Sequence, residues 1–378
     1  MIDVDRVERT PAFVLEHEAL QRNLEVIKDL QESAPVTFLL ALKGFAMHAV
    51  FPLVAKAVRG ATASSLNEAL LANEFFDEVH AYAPAYLPRE FPAIAKIAKH
   101  VTFNSIAEHE RYRNVLDRQH IALRINPEYS PVATDLYNPC APGSRLGVSE
   151  TDLRKLPPGV TGLHAHNLCE SDAQHSAATL ERIEQLFGHL FESLSFLNLG
   201  GGHLVTRKGY RIDILTNALQ DFHARHPHIE LILEPGAAFA WETGVLVATV
   251  LDIVRNGPVM TAMLDTSFAT HMPDCLEMPY TPRVRGARII EASSDAGDGY
   301  RIRLGGASCL AGDWVGDYLF DEPVRIGQRL VFEDMMHYTM VKTTMFNGIA
   351  LPDIVIFENG WPTLVRRFGH EEYRARLC

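Results

Sequence analysis

The sequence predicts an α/β protein, a (β/α)₈ TIM-type barrel with a second, mostly antiparallel β domain, and three observations carry that prediction. Eight short apolar runs alternate with helical stretches, the pattern of parallel strands buried on both faces. Polar or unusual residues stand at the ends of several of these runs, as in a barrel whose chemistry sits at the C-terminal rim; an open doubly wound sheet would gather them at one switch point. After about residue 245 the pattern turns to period two with Gly and Pro punctuation, which reads as strands joined by turns.

In chain order, Leu15, Leu20, Leu24, Ile27 and Leu30 first mark an amphipathic helix. The eight barrel runs follow: Val36 to Leu42, Ala61 to Ser65, Val79 to Ala83, Val101 to Asn104, Ile121 to Ile125, Val160 to His166, Leu194 to Leu199 and Ile229 to Glu234. Helices over Ala177 to Leu194 and Ile212 to His223 separate the last three. The second domain is expected to hold strands at Val245 to Val254, Thr261 to Leu264, Ala287 to Ala292, Tyr300 to Leu304 and Arg329 to Glu333. The expected division is a barrel over 15–245 and a β domain over 246–378, the latter joined by a strand from 1–14, with part of 338–360 returning to the barrel's site.

Composition narrows the class of function. The 378 residues are 47% hydrophobic and 22% charged, ordinary for a folded protein. Thirty-five Lys and Arg against 47 Asp and Glu leave a net charge of -12, which disfavours nucleic acid as a partner and mildly favours a cationic one. No run approaches the ~18 apolar residues of a membrane span, and Met1 to Pro11 lacks the apolar core of a signal peptide, so a cytoplasmic address with no membrane partner is expected. Five cysteines, at 140, 169, 275, 309 and 378, are odd in number and without paired spacing; this argues against a disulfide framework and a zinc module.

The strand ends carry the candidate chemistry. Strand one ends in Lys43 after Phe38 to Leu42; an amine at the end of an apolar strand is partly desolvated and suited to a Schiff base, although a lysine in this position also simply reaches water. Strand six ends in His164-Ala165-His166, alternate residues on one face, fit either to bind a metal or to stack on a planar ligand; the metal reading lacks the further ligands it needs, so no metal is expected. Strand seven ends in Gly200-Gly201-Gly202, a tight turn whose N–H groups can approach an anion. Strand eight ends in Glu234-Pro235-Gly236, a carboxylate that needs a positive partner, either a protonated heteroaromatic ring or a neighbour such as Arg124. An amine, an imidazole, a glycine turn and a carboxylate together describe one ligand, pyridoxal 5'-phosphate.

With the further segments Thr10-Pro11-Ala12-Phe13, Leu40 to Lys43, His164 to Glu170, Cys309-Leu310-Ala311-Gly312-Asp313 and Tyr338 to Gly348, the chain resembles the alanine-racemase-like, fold type III decarboxylases of basic amino acids. Within that family it looks most like the branch that handles carboxynorspermidine and carboxyspermidine. The resemblance implies an alanine racemase-like fold and a homodimer with active sites shared between subunits. It implies that Lys43 holds the cofactor, His166 stacks on its ring, Glu234 pairs with its ring nitrogen, and Gly200, Gly201, Gly202, Gly236 and Tyr338 hold its phosphate. Cys309 resembles the family's general acid and Asp313 the acid that reads the substrate's distal ammonium. Asp265, Glu277 and Phe346 are further substrate-binding candidates. Two departures stand out. Ala237 occupies the position where relatives acting on ornithine or diaminopimelate commonly carry Arg, and the acid of the cysteine motif comes four residues after Cys309 instead of beside it. That spacing resembles the carboxynorspermidine branch, so the resemblance implies a triamine-like substrate over ornithine. Rival readings are decarboxylation of diaminopimelate, ornithine, lysine or arginine, and a catalytically silent binding paralogue.

Overall fold

The computed structural model describes residues 2–278, 280–290 and 298–378. The chain divides into two compact units, residues 22–239 and residues 1–21 with 240–378.

The first unit is a closed barrel of eight parallel strands: Val36–Ala41, Gly60–Ala63, Glu78–Tyr82, His100–Phe103, His120–Arg124, Val160–His164, Phe196–Asn198 and Glu230–Leu233. The first strand pairs with the eighth, Val36 to Phe38 lying against Leu231 to Leu233. That closure excludes the open sheet. Helices Leu66–Phe75, Phe91–Ile97, Ile106–Tyr112, Ala173–Phe187 and Ile212–Arg225 connect strands. Ser65 and Ser105 start two of them, each accepting the N–H of a glutamate three residues on, which satisfies one of the donors a helix start leaves unpaired. Leu39, Ala122, Phe196 and Ile232 form an apolar layer inside the barrel.

The expected helix over Ala177 to Leu194 starts earlier, at Ala173, and is α-helical only to Phe187, giving way to a 3₁₀ turn over Gly188–Ser193. Strand six stops at His164, so His166 stands in the following loop and not on the strand beside His164.

The second unit carries a nine-stranded, mostly antiparallel sheet. The Ala12–Glu16 strand near the N-terminus lies between Gly244–Asn256 and Asp353–Glu358. Gly244–Asn256 also pairs with Arg329–Glu333 and Val259–Leu264, so the boundary expected at 245 falls inside a strand that belongs wholly to this unit. Ile2, Val7, Val14, Val247, Val331 and Phe357 are among the residues of its buried apolar cluster. Strands Trp314–Phe320, Asp353–Glu358 and Trp361–Arg366 were not expected from the sequence. Of the expected strand Ala287 to Ala292, Ala287–Ile290 forms, and residues 291 and 292 lie outside the described residues. No helix among the described residues is long and apolar enough to cross a membrane.

Candidate active site

At the rim of the barrel unit, Lys43 follows the first strand and its Nζ lies 3.0 Å from Nε2 of His166. The other ring nitrogen, Nδ1, accepts the N–H of Gly201 at 2.8 Å. A neutral imidazole with an acceptor at Nδ1 carries its proton at Nε2, and that proton faces the lysine. Only an uncharged amine offers a lone pair to receive it. Surrounding protein, then the nearby Arg124 guanidinium, lower the Lys43 pKa; burial, then Lys43 and Arg124, hold His166 well below the ordinary histidine range. Geometry and electrostatics both favour the uncharged form of this amine, the form a nucleophile needs.

The glycine turn is shaped for close approach. Gly200 and Gly202 have φ of 65° and 91°, in the region that favours glycine. A Cβ on Gly200 would lie 2.7 Å from Nδ1 of His166, and one on Gly202 would lie 2.2 Å from the carbonyl oxygen of Leu168. The expectation that all three glycines present N–H groups to an anion needs correction. The Gly200 N–H donates to Oδ1 of Asn198 at 2.8 Å and the Gly201 N–H to His166. The N–H groups of Gly202, Gly236 and Ala237 make no hydrogen bond among the described residues. Donors left unpaired in the loops after strands seven and eight are what a phosphate would satisfy.

Glu234 follows strand eight and is buried. Its Oε1 accepts Nδ2 of Asn198 at 2.6 Å and lies 3.5 Å from Nδ1 of His80, while Oε2 lies 3.7 Å from Nε2 of His164. Burial pushes its pKa up, but His80, His164 and Asn198 outweigh burial and bring it down to about 2. Arg124 is not its partner: that guanidinium donates to the Tyr82 hydroxyl at 2.6 Å and to the His166 carbonyl at 2.9 Å. Both ring nitrogens of His164 are buried without a hydrogen bond, and burial lowers its pKa to about 4.

In the sheet unit, two loops and the short helix Phe268–His271 form a platform. Oδ1 of Asn347 accepts the Cys309 N–H at 2.6 Å, which brings the Cys309 to Asp313 segment together with Phe346-Asn347-Gly348. Asp313 is buried, and its two carboxylate oxygens accept the N–H groups of Ala269 at 3.0 Å and Ser308 at 2.9 Å. It organises the loop that carries Cys309, with one further lone pair on each oxygen for a cation. Cys309 and Phe346 are exposed. Tyr338 is half-buried with φ of 50°, a conformation a tyrosine holds only under constraint from its surroundings.

Two substrate-binding candidates are engaged elsewhere. Asp265 accepts the Thr10 hydroxyl at 2.5 Å and the Thr249 N–H at 2.8 Å, and so ties strands together. Glu277 pairs with Lys342. An acidic residue chosen by position alone is readily taken by local donors.

Sequence reasoning missed Asn198, which links the glycine turn to Glu234, and His80. The signal for His80 was present in Glu78-Val79-His80, two ionisable residues on one face of an otherwise apolar strand.

The Pyridoxal-dependent decarboxylase, C-terminal sheet domain family matches residues 13–336. The carboxyaminopropylagmatine decarboxylase of Synechocystis sp. is 54% identical, covering 97% of this chain and 95% of its own. The carboxynorspermidine/carboxyspermidine decarboxylase of Campylobacter jejuni is 38% identical over 97% of this chain and 98% of its own. The crystal structure of carboxynorspermidine decarboxylase from Campylobacter jejuni complexed with norspermidine superposes with a TM-score of 0.90 at 37% identity, covering 97% of this chain and all of that one (100%). A lysine amine of lowered pKa, an ionised glutamate and unpaired N–H donors at one barrel rim fit the cofactor from which that family takes its name, and the chain belongs to the pyridoxal-dependent decarboxylases.

Proposed function

We propose that this enzyme uses pyridoxal 5'-phosphate to decarboxylate a carboxylated aminopropyl polyamine, carboxynorspermidine or carboxyspermidine, giving norspermidine or spermidine. The observation that carries the cofactor reading is the chain Gly201 N–H to His166 to Lys43, which presents an uncharged amine at the barrel rim. When bound, the cofactor supplies an electron sink for the pair released as carbon dioxide departs.

The chain's own residues do the rest. Lys43 Nζ is the amine that would hold the cofactor covalently. His166, fixed by Gly201 through Nδ1 and by Arg124 through its carbonyl, keeps that amine deprotonated and offers its ring as a stacking face. Glu234 holds positive charge at a ring nitrogen. Gly202, Gly236 and Ala237 supply N–H donors to phosphate. Cys309, contributed by a second copy of the chain in a homodimer, delivers the proton to Cα. Asp313 and Phe346 on the Cys309 platform face the substrate's cationic tail. The protein is placed in the cytoplasm.

A second reading has its own support. The relative at 54% identity is named for carboxyaminopropylagmatine, which carries the same reacting end but a guanidinium at the far one. Planar guanidinium and compact ammonium ask for different carboxylate geometry, so one site favours one of them.

Carbon dioxide release from carboxynorspermidine, carboxyspermidine, carboxyaminopropylagmatine, diaminopimelate and ornithine, with absorbance before and after borohydride, tests both readings. Release confined to the two carboxy-triamines supports the first, preference for the guanidino compound supports the second, and release only from a diamino acid overturns both.

A further inference from the structure

Behind Glu234 lies a network of ionisable groups with no role in the steps above, running from buried Glu78, His80 and His100 to the exposed side chains of Arg59, Lys99 and Glu230. Nε2 of His80 lies 2.7 Å from Oε1 of Glu78, and Nδ1 lies 3.5 Å from Oε1 of Glu234. Oε2 of Glu78 takes Nζ of Lys99 at 2.7 Å and Nε of Arg59 at 3.2 Å, and Arg59 also meets Glu230 at 2.6 Å. The His80 ring stacks on His100 with centroids 3.9 Å apart, and His100 stacks on His120 at 4.6 Å. Nε2 of His100 lies 3.5 Å from Glu78, but burial and the neighbouring His80 charge lower its pKa to about 2. It is a neutral plate beneath His80.

A neutral imidazole has one N–H, so a ring with a carboxylate oxygen at each nitrogen is satisfied on both sides only as the imidazolium. Burial opposes that charge, and the close contact with Glu234 and the hydrogen bond to Glu78 overcome it and raise the His80 pKa. Charges then balance: Glu78, Glu230 and Glu234 against His80, Lys99 and Arg59. A carboxylate bonded to a cation has reduced proton affinity. At Glu234 this decides where a proton shared with a pyridine nitrogen resides.

We propose that His80 is a positioning residue for the reaction: as an imidazolium clamped between Glu78 and Glu234, it keeps Glu234 a weak base, so that the proton shared with the cofactor's ring nitrogen stays on the ring. The inference rests on the reading of Glu234 as the partner of that nitrogen. Without His80 the proton moves to the carboxylate, the ring loses its charge, and the electron sink weakens while substrate contacts persist.

The test uses full-length holoenzyme carrying His80→Gln, Glu234→Gln, or both, together with pyridoxal phosphate and its 1-deaza analogue, which has C–H in place of the ring nitrogen. His80→Gln is expected to lower kcat about tenfold or more with KM within about twofold. It should weaken pyridoxal phosphate binding about tenfold and leave affinity for the analogue unchanged. In the Glu234→Gln background the same substitution should change neither, the non-additivity expected of groups acting through one contact. Nitrogen-15 spectra of histidine-labelled wild-type protein, which need no variant to fold, should show His80 doubly protonated. Equal losses for both ligands, additive effects in the double variant, or a neutral His80 overturns the proposal while leaving the reading of Glu234 in place. Equal wild-type affinity for cofactor and analogue overturns that reading and the proposal together.

Discussion

The two units carry opposite kinds of site. In the barrel, the groups around Lys43 and Glu234 are held by side chains that hold one another: Asn198 joins Gly200 to Glu234, Gly201 fixes His166, and His80 links two carboxylates. In the sheet unit, Cys309 and Phe346 stand exposed on loops, tied down mainly through Asn347 and through Asp313, whose carboxylate oxygens each accept one backbone N–H. The difference separates two demands. A cofactor's charges need fixed counter-charges in a dry, rigid setting, whereas a group that must meet a substrate tail or a second copy of the chain needs access. Buried polar groups are costly without partners, so the barrel's network is dense around Glu234, and the platform's is short.

The largest effect that would break this comparison lies at Lys43. Lys43→Ala should lower carbon dioxide release by at least roughly 10⁴-fold, the scale seen when a covalent catalytic group is removed, and abolish borohydride-trapped absorbance while the melting temperature holds. Residual activity near wild type would remove the amine from the reaction.

Next comes the glycine turn. Gly202→Ala sets a Cβ against the Leu168 carbonyl at a φ of 91° and should cost about 3 kcal/mol in denaturant unfolding. A change under about 0.5 kcal/mol, the size of an ordinary surface substitution, would mean the loop tolerates a side chain there.

Cys309→Ala should reduce turnover about 100-fold, the range for a lost proton donor, with unfolding unaffected because the side chain is exposed. Mixing Lys43→Ala with Cys309→Ala chains should restore about a quarter of the active sites, since random exchange makes half the dimers hybrid and each hybrid holds one intact site. Absence of recovery would confine each site to one chain.

The smallest effect concerns pH. Buried His164 and His203 have pKa values brought down to about 4 by burial, so both are neutral when folded and take up protons on unfolding below their ordinary value. The stability they contribute is present above about pH 6.5 and lost as pH falls toward 4, on the order of 2 kcal/mol each. Glu234, depressed to about 2, adds a loss that begins lower, as pH falls through about 4.3 toward 2. In the sheet unit His271 is similarly lowered to about 4. Hydrogen exchange at pH 7 and 4.5 should show the barrel amides losing protection ahead of the sheet amides; the reverse order would place the acid-sensitive groups elsewhere.

The eight barrel strands in order, the presence of an antiparallel second unit and the residues at the barrel strand ends were legible in the sequence, because hydrophobic period and strand-end polarity are local properties; three strands of the second unit, Trp314–Phe320, Asp353–Glu358 and Trp361–Arg366, were not. Lys43 and Glu234 were visible for that reason: each interrupts an apolar run. Partners were not. Glu234 meets His80, His164 and Asn198 instead of Arg124, the glycine N–H groups divide between internal bonds and a ligand, and Asp265 and Glu277 are taken by Thr10, Thr249 and Lys342. Closing eight strands into a barrel places residues from positions 78, 80, 164, 198 and 234 within one interior, and the charge each then carries depends on distances of a few ångströms and on burial. Only the tertiary structure sets those distances, because the low dielectric that makes them matter exists only once the barrel has closed.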